Sequence, residues 1–145
     1  MAVDPQGRFA YVVNAVDNNV SGYRIDANQR RASRRSMAAI FRAGKFPRSL
    51  VVDPGGRFAC VANQVGNNVS VFRISETGAL TEINGSPFVT GVGPFSVANQ
   101  SHRREHAFVV NEGGGNISKY PNPERRRAAR HCWFRRPQPA TILLM

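Results

Sequence analysis

The stretch VDPGGRFACVANQVGNNVSVFRIS, residues 52–75, rewrites VDPQGRFAYVVNAVDNNVSGYRID, residues 3–26. The two copies begin at Val3 and Val52, 49 residues apart. A weaker third copy, AFVVNEGGGNISKY, occupies 107–120. Each full copy opens on a turn, Asp4-Pro5-Gln6-Gly7 or Asp53-Pro54-Gly55-Gly56. Proline presets φ, aspartate accepts local backbone hydrogen bonds, and the closing glycine tolerates positive φ. The aromatic and β-branched run over 9–13 then reads as a strand. Phe9, Tyr11 and Val13 share one face, and Ala10 and Val12 the other. Both sets are apolar, which predicts a strand covered on both sides.

Asn18-Asn19 and Asn67-Asn68 mark the next turn, because asparagine accepts left-handed backbone more readily than most residues. Turn chemistry is therefore the reading preferred over ligand binding at these positions. Strands follow over 20–25 and 69–74, so the unit is a β-hairpin. The acceptor pattern for glycosylation at Asn19, Asn68 and Asn116 recurs because the repeat recurs. The second copy continues with a turn at 76–79, a short strand over 80–83 and a turn at 84–87. A loop containing Gly91 and Gly93 then leads through Pro94 to a strand over 95–98. That makes four strands per repeat. A unit of this size cannot bury its own apolar faces and must stack on its neighbours. Four-stranded sheets repeated at this period are the blades of a β-propeller.

The phrases DPQGRFAYVVN (4–14), NNVSGYRI (18–25), TGALTEINGSPF (77–88) and GPFSVA (93–98) resemble the lactonase-type seven-bladed β-propellers. That family includes 6-phosphogluconolactonase-like proteins and the related YVTN-repeat proteins. The likeness covers 2–27, 41–98 and 107–120. It implies an all-β chain forming an incomplete propeller, with two recognisable four-stranded blades and part of a third. The expected organisation is a partial propeller over 1–120, with repeats at about 1–50, 51–98 and 99–120. A basic, irregular tail, expected to be disordered, follows over 121–145. The chain begins inside the strand that should precede the first turn, which reads as an internal piece of a longer protein.

The pattern breaks after Asp26, over 99–106 and from Pro121 onward. These breaks hold 12 of the 20 Lys and Arg residues and only Glu105 and Glu124 among the 9 acids. Nearly all of the net charge of +11 therefore lies outside the repeats. One account is a basic surface; another is that these stretches are read in a shifted codon frame, since GC-rich codons for Gly, Ala and Leu become Arg-rich when displaced by one base. The second account predicts a propeller-like phrase in another frame of the coding DNA. The Arg clusters at 30–35 and 125–136 would also give salt-sensitive, nonspecific affinity for nucleic acid. No nucleic-acid-binding motif accompanies them.

Catalytic motifs are sparse. No nucleophile elbow, phosphate loop or metal motif is present. His102, His106 and His131 lack metal-ligand spacing, and neither a metal nor a cofactor is expected. Cys60 replaces Tyr11 and reads as a small buried hydrophobe; a disulfide with Cys132 is not expected. Arg8 and Arg57 are equivalent, as are Arg24 and Arg73, and repetition makes each pair structural, for solvation or stacking. Lactone hydrolysis needs a polarised carbonyl and an activated water, hence cations and a general base in one cleft. The family resemblance places that cleft at the mouth of the central channel. It makes Glu112, in the Asn111-Glu112 pair, the candidate base. It makes Arg48, in Phe46-Pro47-Arg48-Ser49, the candidate anion-binding residue, although Ser49 stands where the family phrase has His.

Three functions follow. The first is a fragment of a lactonase-like propeller related to hydrolases of sugar lactones such as 6-phosphogluconolactone, inactive alone. The second is a non-enzymatic, YVTN-like segment for protein binding, and the third is nonspecific nucleic-acid binding. If the chain is an enzyme it is a lactonase. Exposed blade edges and apolar faces predict self-association. No signal peptide or membrane span is apparent, which favours a cytoplasmic location.

Overall fold

The structure, a computed structural model, describes residues 1–26, 31–32, 39–99, 106–121 and 143–144. These residues form three antiparallel sheets and no helix. The first sheet contains β1 (Ala2–Val3), β2 (Phe9–Asn14), β3 (Asn19–Asp26), β4 (Arg31–Ala32) and β5 (Ala39–Arg42). β4 and β5 pair with successive parts of β3. The second sheet contains β6 (Pro47–Val52), β7 (Phe58–Asn63), β8 (Asn68–Ile74), β9 (Leu80–Glu82) and β10 (Phe88–Val89). Its outer position is divided in the same way, β9 and β10 both pairing with β8. The third sheet runs β11 (Pro94–Asn99), β12 (His106–Asn111), β13 (Asn116–Pro121) and β14 (Leu143–Leu144). The all-β, incomplete propeller expected from the repeats is the architecture observed.

The sheets are offset from the sequence repeats. β11 closes the written repeat at 98, yet it pairs with β12, Val97 opposite Val109. Each repeat thus ends on the first strand of the following sheet, and covalent continuity ties neighbouring sheets together. Of the basic tail, Pro121 ends β13 and Leu143–Leu144 form β14; 122–142, including Cys132, His131 and the cluster at 125–136, lie outside the described residues. So do His102 and most of the cluster at 30–35, within which Arg31–Ala32 form β4.

The local geometry follows from the turn residues. Asp53 Oδ1 accepts the backbone N–H groups of Arg57 and Phe58 at 2.5 and 2.7 Å. Asp4 does the same for Arg8 and Phe9. Both carboxylates are buried, so the hydrogen bonds replace the lost water. Gly7 and Gly56 each adopt φ 68°, as the turn requires. Asn18 and Asn67 sit at φ 55° and 50°, the left-handed geometry expected of them.

The core lies between sheets. β7 is buried along its whole length and serves two interfaces. Ala59 and Val61 pack with Phe9, Tyr11 and Val20 of the first sheet. Phe58, Cys60 and Ala62 pack with Val97, Ala107 and Val109 of the third. The two-residue period of the strand separates these sets onto opposite faces. Two tyrosines bridge the junctions: Tyr11 donates to the Gly78 carbonyl at 2.9 Å, and Tyr120 to the Val89 carbonyl at 2.7 Å. Burial pushes both phenols up to about 12, with the Asp4 carboxylate adding to the rise at Tyr11. Arg8 lies over Phe9, and Arg57 and Arg73 over Phe58, the stacking expected of repeated arginines.

Candidate functional site at the junction loops

Glu112 begins the loop that follows β12. Its N–H donates to the Gly93 carbonyl at 2.9 Å, fastening that loop to the connection between the second and third sheets. Gln64 holds the corresponding place after β7, and its N–H donates to the Phe46 carbonyl at 2.9 Å. The two loops lie side by side. Gln64 Nε2 approaches Glu112 Oε2 at 3.5 Å, a long contact between exposed polar groups.

Arg48 is the second residue of β6. Its guanidinium lies 4.8 Å from the centre of the Phe95 ring and 5.9 Å from that of Phe46. Pro47 is paired with Asn63, one residue before Gln64, and Pro94 with Asn111, one residue before Glu112. Arg48 and Glu112 therefore occupy the same end of two adjacent sheets. Arg48 reaches the third sheet at Phe95 and Glu112 reaches the second at Gln64, and the two form no ion pair with each other; the ion pair among the described residues is Arg8–Asp4. Both side chains are exposed, which leaves the cation and the carboxylate accessible to a solute.

Gln64, Phe46 and Phe95 were not singled out from the sequence. The signal for two of them was the repeat register. Gln64 stands where Glu112 does in the third copy, and Phe95 follows Pro94 as Arg48 follows Pro47. Phe46 corresponds to Gly93, and it adopts φ 54° where Gly93 adopts 64°. An aromatic residue in this region costs about 1–2 kcal/mol. Asn18 Oδ1 accepts the Phe46 N–H at 2.7 Å, as Asn67 Oδ1 accepts that of Gly93 at 2.8 Å. Each left-handed asparagine thus holds the next connection in place.

Beneath these loops a polar staple occurs three times. Asn63 Nδ2 donates to Asn68 Oδ1 at 2.7 Å and Ser70 Oγ at 2.9 Å. Asn111 repeats the pattern with Asn116 and Ser118, and Asn14 with Asn19 and Ser21. Gly44 and Gly91, in the connections, lie directly over Asn63 and Asn111. The staples fix the strand ends from which Gln64 and Glu112 emerge. No group of three or more His, Cys, Asp or Glu residues suited to a metal stands together among the described residues.

The model for the family described as "Lactonase, 7-bladed beta-propeller" matches residues 1–98. The chain belongs to the seven-bladed lactonase propeller family. It is similar in structure to a candidate 6-phosphogluconolactonase of Bacteroides uniformis, with 16% identity and a TM-score of 0.71 over 84% of this chain and 35% of that one. It is similar to the corresponding Bacteroides fragilis protein at 16% identity and a TM-score of 0.71, over 84% of this chain and 34% of that one. The periplasmic gluconolactonase of Pseudomonas aeruginosa matches at 19% identity and a TM-score of 0.55, over 83% of this chain and 32% of that one. These likenesses concern the fold, and the lactonase-type chain described here spans about a third of the length of each of those structures. No curated protein matches it.

Proposed function

We propose that this chain contributes two blades and part of a third to a lactonase-type propeller related to sugar-lactone hydrolases, and that it does not turn over a lactone alone. The observation that carries the reading is the joining of two adjacent sheets at one end, through Gln64 and Glu112 and through Arg48 and Phe95. In this reading Glu112 accepts a proton from the attacking water. Arg48, held between two rings, binds the anionic end of a substrate such as 6-phosphogluconolactone. The family match and the names borne by the similar solved structures support that class. Polarising the lactone carbonyl requires donors aimed at the developing oxyanion. In a seven-bladed ring the loops of further blades would supply them.

Hydrolysis of 6-phosphogluconolactone, followed by acid release against the uncatalysed rate, tests this directly. The chain alone is expected to add nothing, whereas a chain extended to the full ring turns over. In the extended chain, Glu112→Gln lowers kcat by about 10²–10⁴-fold, the usual worth of a positioned base. Turnover by the chain alone overturns the claim of inactivity. An unchanged kcat in Glu112→Gln overturns the role of Glu112.

A second reading, protein binding, is favoured by the exposed Val16, Val65 and Val92, one in each of three connections, and by Phe95, exposed near the start of β11. It requires that a full-ring chain bind a protein through these residues while lactone addition leaves the affinity unchanged.

A further inference from the structure

Asn84-Gly85 is the one Asn-Gly pair in the sequence. Its two residues are exposed and form the centre of the β-turn between β9 and β10. The Ser86 N–H closes this turn on the Ile83 carbonyl at 3.1 Å, and Gly85 adopts φ 88°, which the third position of such a turn asks of a residue without Cβ. Every other asparagine among the described residues has its side chain tied by a hydrogen bond. That includes the exposed Asn18 and Asn67, whose Oδ1 atoms accept the Phe46 and Gly93 N–H groups. The Asn84 side chain and the Gly85 N–H make no hydrogen bond among the described residues.

The turn also serves the strand behind it. Val71 lies between the part of β8 that pairs with β9 and the part that pairs with β10, and it is fully buried. Its carbonyl accepts the Ile83 N–H at 3.0 Å, and its N–H donates to Ser86 Oγ at 2.9 Å. The Ser86 hydroxyl donates in turn to Glu82 Oε1 at 2.8 Å. The two ends of one turn thus satisfy both backbone groups of a buried residue, which water cannot reach to replace them.

We propose that Asn84 is a site of spontaneous deamidation, and that its isoaspartyl product unclips the outer edge of the second sheet. Hydroxide from solvent takes the Gly85 N–H proton, and the nitrogen attacks Asn84 Cγ. The new C–N bond closes a succinimide ring while the amide nitrogen leaves as ammonia, taking a proton from water and restoring the hydroxide. Glycine favours the step because no Cβ crowds the attacking nitrogen and the backbone turns freely toward it. Water then opens the imide at either carbonyl. Opening at Cγ gives aspartate; opening at the backbone carbonyl gives isoaspartate, in which the chain runs through Cβ and Cγ. The second product lengthens the turn by one backbone carbon and leaves a carboxylate two residues from Glu82. Ile83 and Ser86 can then no longer both reach Val71, whose N–H is left buried without an acceptor.

Ageing the purified chain at mildly alkaline pH tests the site. Mass spectrometry of the peptide TEINGSPF, 81–88, reads the loss of the amide, and methyl transfer by an isoaspartyl methyltransferase reads the rearranged backbone. This peptide is expected to convert before those bearing Asn18 or Asn67. A Cβ at position 85 would meet only the Phe88 ring, at 3.7 Å, so Gly85→Ala has room in the fold; by crowding the nitrogen it slows conversion about tenfold or more. Asn84→Gln, which keeps the glycine and the turn, abolishes the methyl acceptor in this peptide and stands in if the strained alanine fails to fold. The aged chain unfolds at lower urea than fresh chain and exchanges its Val71 amide proton faster. Asn84→Asp, which adds the charge without the extra carbon, keeps the fresh midpoint. Conversion at Asn18 or Asn67 ahead of Asn84, or undiminished conversion in Gly85→Ala, overturns the proposal. So does an aged chain that keeps its urea midpoint and its Val71 protection, or an Asn84→Asp chain that unfolds like the aged one.

Discussion

Replacing Gly44 by alanine is expected to cost stability only while Asn63 is present. A Cβ at position 44 would stand 2.5 Å from Asn63 Nδ2 and 2.6 Å from its Cγ. Asn63 is fully buried and holds two hydrogen bonds, so it cannot swing aside as a surface lysine would. Forcing an extra carbon into such a site costs about 1–3 kcal/mol. Because Gly44 does not occupy the left-handed region, alanine recovers about 0.4–1 kcal/mol from the unfolded chain. The net loss for Gly44→Ala is about 1–2 kcal/mol, and it falls on the folded state.

Asn63→Ala deletes two hydrogen bonds worth about 1 kcal/mol each and strands the buried Ser70 hydroxyl, for a loss of about 2–3 kcal/mol. In the double variant the two short contacts vanish, and the nearest remaining one is the residue-63 Cβ at 3.0 Å. The double variant should therefore resemble Asn63→Ala alone. The coupling energy is about 1–2 kcal/mol, well above the roughly 0.3–0.5 kcal/mol scatter of independent sites. Urea unfolding followed by circular dichroism at one fixed protein concentration measures all four corners of the cycle. Gly7→Ala is the control. It carries the left-handed penalty at φ 68° with nothing within 4 Å, so its cost should add to that of Asn63→Ala. Additivity of Gly44→Ala with Asn63→Ala would refute the packing argument.

Other expectations are simpler. Phe46→Gly should hold or raise the urea midpoint by relieving the left-handed backbone, whereas Phe46→Val should lower it, since a β-branched residue tolerates that region least. Arg48→Ala should cost under about 1 kcal/mol, the range of an exposed cation–ring contact, so it can probe ligand binding without unfolding the chain. Raised phenol values at Tyr11 and Tyr120 mean that the folded state holds these protons more tightly than the unfolded chain. Their contribution is complete below pH 10 and is lost as the pH rises toward about 12. An alkaline unfolding series should show this decline, and Tyr11→Phe should flatten it while losing about 1 kcal/mol of neutral-pH stability with the Gly78 hydrogen bond.

The turns and strands were legible because their residues act locally. Asp4 and Asp53 accept from N–H groups four and five residues away, and Asn18 and Asn67 adopt left-handed backbone on their own account. The two apolar sets of β7 announced its coverage on both faces, although which partner covered which face required the sheets themselves; β2 carries the same pattern, yet only its Phe9, Tyr11 and Val13 face joins a core, and Val12 on the other face is half-buried, because β2 lies in the first sheet and packs on the second alone. β4 was not legible: Arg31 and Ala32 have no apolar pattern, and they pair because Ile25 and Asp26 extend past the end of the hairpin. The offset between repeat and sheet was hidden for a related reason. A strand written at the end of one repeat carries no mark of the sheet it will join.

The same offset explains why the candidate site could be named in part only. Glu112 and Arg48 were reachable through a family phrase, each within its own short stretch of sequence. Their neighbours depend on which sheet follows which. Phe95 meets Arg48 because β11 opens the sheet that packs on β6, and Gln64 meets Glu112 because two equivalent hairpin loops lie across one junction. A ring of stacked sheets composes its sites from residues about one repeat apart, 47 between Arg48 and Phe95 and 48 between Gln64 and Glu112. In such a fold the informative comparison is between a residue and its counterpart one repeat away. Where that counterpart differs, as Gln64 does from Glu112 and Phe46 from Gly93, the symmetry that serves the core has been set aside at the loops.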